Sequence, residues 1–207
     1  MKILITIILV VVSIFILSSV DFNVKHHNPK YLRPSEIRKS ISEGKTSFLL
    51  ESIELGKVDI NEQDQAGYPP IVFSLLAENK EVTLSLLKHG ADVNIKSDSG
   101  NTALDCLIGK KKLKMIEFLF ENSKKINLNI QTAIGKTPIV KAIYVNSFLI
   151  VELLLSYGAN PNTIDINGES PLDIAKKHNK KEIFKLLKSK GALFSSQIKS
   201  SKFKNEK

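Results

Sequence analysis

The chain has 207 residues, 43% of them hydrophobic and 25% charged, which excludes a disordered, low-hydrophobicity polymer and leaves enough apolar surface for a sizeable core. One cysteine, Cys106, excludes an internal disulfide. The formal net charge of +9 lies wholly in residues 176–207, where 11 Lys face 2 Glu; residues 1–175 balance at 19 basic and 19 acidic, which argues against a uniformly basic nucleic-acid binder.

The first element is apolar. Ile3–Val20 has no charge, and its polar members are Thr6, Ser13, Ser18 and Ser19. As a helix its 18 residues would span about 27 Å, close to the ~30 Å hydrocarbon core of a bilayer. Residues 1–20 therefore read as a transmembrane anchor or a signal peptide. The anchor is favoured, because Ile16-Leu17-Ser18-Ser19-Val20-Asp21 lacks a small-x-small exit. A core helix is excluded by the lack of a polar face.

Lys2 and the terminal amine sit on one side, and Lys25, Lys30 and Arg33 on the other. The expected placement is membrane-anchored with the following domain on the non-cytoplasmic side; the alternative is a cleaved, periplasmic or secreted protein. Residues 21–34, with Pro29 and Pro34, read as a linker. Its pair His26-His27 has no third ligand nearby and reads as solvated chain rather than a metal site.

A repeat follows. Gly67, Gly100, Gly135 and Gly168 are separated by 33, 35 and 33 residues, and Asn61, Asn94, Asn129 and Asn162 by the same steps. Two markers moving together indicate a copied unit, and a period in this range indicates a stacked solenoid. After each glycine comes a helix start. Thr102, Thr137 and Ser170 are expected N-caps, and Pro70, Pro138 and Pro171 fall at the first helical position.

Apolar stripes at helical spacing run Ile71/Leu75, Leu104/Leu107/Ile108, Ile139/Ala142/Ile143 and Leu172/Ala175. A second helix carries Val82/Leu86, Ile116/Leu119/Phe120, Ile150/Leu154 and Ile183/Leu186/Leu187. It closes on Gly90, Gly158 and Gly191, suited to a left-handed residue; unit three offers Asn122-Ser123 for that conformation, with two inserted residues just beyond.

Gly135-Lys136-Thr137-Pro138-Ile139-Val140-Lys141-Ala142, followed by Leu153-Leu154-Leu155-Ser156-Tyr157-Gly158-Ala159-Asn160-Pro161-Asn162, resembles an ankyrin repeat of bacterial type, as does His89-Gly90-Ala91-Asp92-Val93-Asn94. The fold class so implied is all-α: an ankyrin-repeat solenoid of about five helix-turn-helix units over residues 35–195. Their bounds fall near 35–63, 64–96, 97–131, 132–164 and 165–195, the first degenerate, with a basic tail at 196–207. The family's usual His after the cap is replaced by Val72, Asp105, Val140 and Asp173, and Pro69 replaces one capping hydroxyl. Each loss removes a polar tie worth about 1 kcal/mol, so a less stable array is expected, with unit three its weak junction.

No phosphate loop, zinc spacing or nucleophile elbow is present, so no enzyme, no cofactor and no metal is expected. His89 reads as a helix C-terminal residue, Cys106 as an inert buried thiol, and Gly109-Lys110-Lys111-Lys112 as a basic turn. His178 likewise has no ligand partner at useful spacing.

The resemblance implies a protein partner bound by turn tips and first helices. Carried onto this chain, the tip positions are Gln65, Tyr68, Asp98, Asn101, Ile134, Lys136, Ile166 and Glu169. Ile134 and Ile166 are apolar where water is expected, and with Tyr68 they could anchor a partner or pack on one another. Lys176, Lys177, Lys180 and Lys181 could meet anionic lipid, the competing reading being a polar outer face capping the stack. No nucleic acid is expected, since no stacking aromatics accompany the lysines. The function so expected is a membrane-tethered protein-interaction module; the alternatives are an envelope inhibitor or immunity-type protein, or a peripheral lipid binder.

Overall fold

The structure, a computed structural model, describes residues 31–204. The Ile3–Val20 segment and His26-His27 lie outside them. Among the described residues no helix is long and apolar enough to cross a membrane, and there is no sheet, only an isolated parallel bridge between Leu32 and Val58.

Among the described residues eleven helices follow, the first ten in five pairs. Unit one is α1 (Pro34–Ser42) and α2 (Thr46–Glu54). Unit two is α3 (Pro70–Leu76) and α4 (Lys80–Lys88). Unit three is α5 (Ala103–Gly109) and α6 (Leu113–Asn122). Unit four is α7 (Pro138–Tyr144) and α8 (Phe148–Ser156). Unit five is α9 (Pro171–Lys177) and α10 (Lys181–Ser189). The residues read as a basic tail carry a further helix, α11 (Ser195–Lys204), whose Ile198 is buried.

First helices pack on first helices and second on second, so each short pair buries its apolar stripe against its neighbours. All the stripe residues named from the sequence are buried except Leu186, which is half-buried.

The helix starts follow their local chemistry. Pro70, Pro138 and Pro171 occupy first-turn positions. Thr102 and Ser170 accept from the backbone N–H of Asp105 and Asp173, and each aspartate returns a bond to the cap's own N–H. The two aspartates therefore restore ties that the missing histidines seemed to remove; Asp173 Oδ2 also accepts Ser195 N at 2.9 Å, joining unit five to the start of α11. Thr137 stands at its cap position, but its hydroxyl faces Thr163 Oγ1 at 3.3 Å instead of the helix.

Gly90, Gly158 and Gly191 close their helices at positive φ, and the next N–H folds back in each case, as from Ala91 to Leu86 O at 2.9 Å. Unit three departs from expectation. Neither Asn122 nor Ser123 is left-handed: the helix runs through Asn122, whose side chain donates to Phe118 O, and Ser123 is extended at φ −137°. The inserted length lets the chain leave straight, without the tight reversal a left-handed residue provides.

Two features lock the units together. Each turn is a hairpin closed on Asp64, Ser97, Thr132 or Asp165, as where Gly100 N donates to Ser97 O at 2.8 Å. The turns stack so tightly that a Cβ on Gly100 would lie 2.5 Å from Ala133 N, and one on Gly67 would lie 2.6 Å from Asp98 N. On the other side runs a row of asparagines. Asn94 accepts from Asn127 N at 2.8 Å and donates to Lys125 O at 2.7 Å, across the very loop that holds the insertion. Asn61, Asn129 and Asn162 accept likewise from Asp92 N, Asn160 N and Leu193 N.

Candidate binding groove on the first helices

Helix α3 reads Pro-Ile-Val-Phe-Ser-Leu-Leu and is apolar almost all round, so it must be covered on two sides. Ile71 and Leu75 face the core. Phe73, itself buried in the core cluster, and half-buried Leu76 also line a groove of about 690 Å³, which runs across the first helices from α1 to α7. Tyr68, Cys106 and Asn101 line its wall, and Arg38, Lys110 and Lys141 supply its positive charge.

The charged groups are held differently. The Arg38 guanidinium lies 4.4 Å above the Phe73 ring and pairs with Asp64. Lys141 crosses from α7 toward α5: its Cε sits 3.6 Å from where a Gly109 Cβ would be, and its Nζ donates to Asn101 Oδ1 at 2.9 Å. Asp105 is fully buried in its cap. Its Oδ2 accepts Thr102 N and Oγ1 at 3.0 and 2.9 Å, while Oδ1 has no hydrogen-bond partner among the described residues. Burial raises its carboxyl pKa against the opposing pull of the Thr102 N–H and Lys141.

Cys106 is half-buried and faces the groove, where it was expected to be enclosed. Burial pushes its thiol up, against a hydrogen bond with Tyr68, so the thiol is not an activated nucleophile. Among the described residues no group of His, Cys, Asp or Glu is placed to hold a metal ion.

The eight tip residues fall in three places. Tyr68 and Asn101 line the groove. Gln65, Asp98, Ile134 and Ile166 are exposed on the turn row, the isoleucines at 52% and 68%. Ile166 Cγ2 lies 2.7 Å from the position a Cβ on Gly135 would take, so its methyl covers that glycine while the rest of the side chain stays in water. Lys136 and Glu169 are engaged on units four and five: Lys136 Nζ sits 3.9 Å over the Tyr144 ring, and Glu169 takes Lys177 Nζ at 2.8 Å. Of the lipid-facing candidates, Lys176 lies 5.3 Å over Phe194, Lys177 is paired as above, and Lys180 and Lys181 open α10.

Sequence reasoning passed over Arg38, Phe73, Lys110 and Lys141 as site residues. The signal was present in the all-round apolarity of α3. His89 stands where expected, its Nδ1 on Ser85 O at 2.8 Å and its Nε2 3.6 Å from Glu54.

A row of paired helices, a stacked turn row and one open groove define a helical-repeat binding array without an assembled catalytic centre among the described residues. The family profile described as "Ankyrin repeats (3 copies)" matches residues 39–132 and 124–198, and the chain belongs to the ankyrin repeat family. Members typically act as protein–protein interaction modules, which implies a protein partner.

The chain is 31% identical over 166 residues to the ankyrin repeat protein YahD of Escherichia coli (strain K12), covering 72% of this chain and 82% of that one. It is 34% identical over 132 residues to the transient receptor potential channel pyrexia of Drosophila melanogaster, covering 63% of this chain but 13% of the channel. It is 28% identical over 166 residues to an intracellular phospholipase A2 of Caenorhabditis elegans, covering 76% of this chain and 16% of the enzyme. The channel and the enzyme are therefore named for proteins that lie mostly outside the match.

Proposed function

We propose that the chain is a non-enzymatic, membrane-tethered module that binds a protein partner along its first helices and turn tips. The observation that carries the reading is the groove of about 690 Å³ together with a turn row exposing Ile134 and Ile166. Ile3–Val20 is the tether in this reading, and it raises the local concentration of the array against partners at the same bilayer. The repeats lie on the non-cytoplasmic side. An inhibitor or immunity-type protein of the envelope is a narrower form of the same mechanism.

A C-terminal tag tests the placement: protease added to intact cells removes it if the repeats lie outside and leaves it if they lie inside. Cross-linking in the same cells tests the binding. Ile134→Asp with Ile166→Asp should abolish capture of the partner while leaving the helical signal unchanged; undiminished capture by the folded variant removes the turn row from the interface.

The eleven lysines of residues 176–207 favour a second reading, contact with anionic lipid. Liposome binding that vanishes on removing residues 196–207 together with the Lys176, Lys177, Lys180 and Lys181 charges supports it.

A further inference from the structure

We propose that the groove takes an acidic segment of the partner protein, an apolar side chain seated against Leu76 and Tyr68 and carboxylates met by Lys110 and Lys141. The inference rests on the interaction reading above and adds the chemistry of what is bound.

The floor sets the first requirement. Leu76 and Tyr68 keep half-buried surface toward the groove, beside a Phe73 ring that Arg38 already covers, and their apolar part gains from an apolar visitor. The volume, about 690 Å³, lies in the range that encloses a few side chains.

The charges set the second requirement. Four charged residues line the groove: Arg38, Asp105, Lys110 and Lys141. Arg38 is neutralised by Asp64, and Asp105 is turned into its helix cap. The remaining two are lysines. Among the described residues neither has a carboxylate within ion-pair distance, and Lys141 is held over the groove by a neutral amide oxygen. The stem of Lys141 passes over Gly109 in van der Waals range, and the hydrogen bond to Asn101 holds the ammonium at the groove. A basic visitor would meet like charge, and a purely apolar one would leave two ammonium groups to be desolvated with no carboxylate at ion-pair distance. A lipid surface offers anionic heads but is broad and flat, and the apolar floor is recessed.

Cys106 makes the site readable, because the single thiol of the chain lines the same groove. The full chain in detergent is used to select binders from a random peptide library, with Lys110→Glu/Lys141→Glu as counter-selection. The recovered peptides are then added while N-ethylmaleimide alkylation of Cys106 is followed. The expected peptides are acidic with at least one large apolar residue. They should slow alkylation about tenfold or more at saturation, bind the double variant about tenfold more weakly, and weaken further as salt is raised. Lys110→Gln/Lys141→Gln serves the same purpose if charge reversal disturbs folding.

Neutral or basic peptides overturn the proposal. So do peptides that leave the alkylation rate unchanged, although these keep the array as an interaction module with its site elsewhere. Protection by phosphatidylserine vesicles and by no peptide hands the groove to lipid. Recovery of no binder at all overturns both this proposal and the interaction reading.

Discussion

Units three and five carry the same local device in opposite surroundings. Both begin with a hydroxyl cap and an aspartate three residues on, Thr102 with Asp105 and Ser170 with Asp173. In the middle of the stack Asp105 is sealed, one oxygen lacks a partner, and burial raises its pKa. At the edge, burial also pushes Asp173 up, but the N–H groups of Ser170 and Ser195 outweigh it and its pKa is lowered. The preceding glycines differ in the same way. A Cβ on Gly100 meets backbone of the next turn at 2.5 Å, whereas one on Gly168 meets only the head of Lys199, at 3.2 Å. An identical sequence position is thus costly or lenient according to what the next unit places against it.

The largest expected effect breaks or confirms that contrast directly. Gly100→Ala adds a left-handed penalty and a backbone clash, together about 3 kcal/mol or more, lowering Tm by roughly 10 °C. Gly168→Ala, with φ +75° but a yielding neighbour, should cost about 1 kcal/mol. Equal thermal midpoints for the two variants would sink the contrast.

Next comes the asparagine row. Asn94→Ala removes an acceptor for Asn127 N and a donor to Lys125 O, and should cost about 2 kcal/mol in a urea titration. A change under a few tenths would mean the inserted loop already isolates unit three from unit two, a weak junction at unit three as expected from the sequence.

The aspartates predict opposite pH slopes. Asp173, with its folded pKa lowered, contributes stability that is present above the unfolded value of 3.8 and is lost as pH falls through the folded value below it. Asp105, with its folded pKa raised, imposes a penalty that is absent below 3.8 and grows as pH rises through the interval above it. Asp105→Asn should therefore gain on the wild type as pH rises above 3.8, while Asp173→Asn loses ground over the lower interval. Parallel stability curves for the two variants would show that their surroundings do not differ.

The smallest effect concerns the left-handed residue in the turn between the two helices of a unit. Gly44 takes its positive φ freely in unit one, but Lys111 takes φ 54° in unit three. Lys111→Gly should raise stability by about 0.5 kcal/mol, the left-handed penalty being partly offset by glycine's unfolded-state entropy. No change in Tm would place the penalty below detection.

Much of the array was legible because it is local. Stripes such as Ile139/Ala142/Ile143 declare a helix and its inner face, and Pro138 and Pro171 declare where helices begin. The markers Gly67–Gly168 and Asn61–Asn162 revealed the period but not their purpose, since the partners of Asn94 lie 31 and 33 residues away in the next unit. The groove was the least legible part. Arg38, Phe73 and Lys141 come from three helices and Lys110 from the turn after a fourth, and the all-round apolarity of α3 signals a second covered side without saying which residues of other units will border it.

The sequence by itself determined the unit: its length, its caps, its buried stripes, and the neutrality of everything before residue 176, because these follow from interactions within a few turns of chain. Only the tertiary structure decided which glycines cannot carry a Cβ, which of two matching aspartates is strained by burial, and where lysines without carboxylate partners border an apolar floor. Those properties belong to the contact between one unit and the next, and a contact has no position in the sequence.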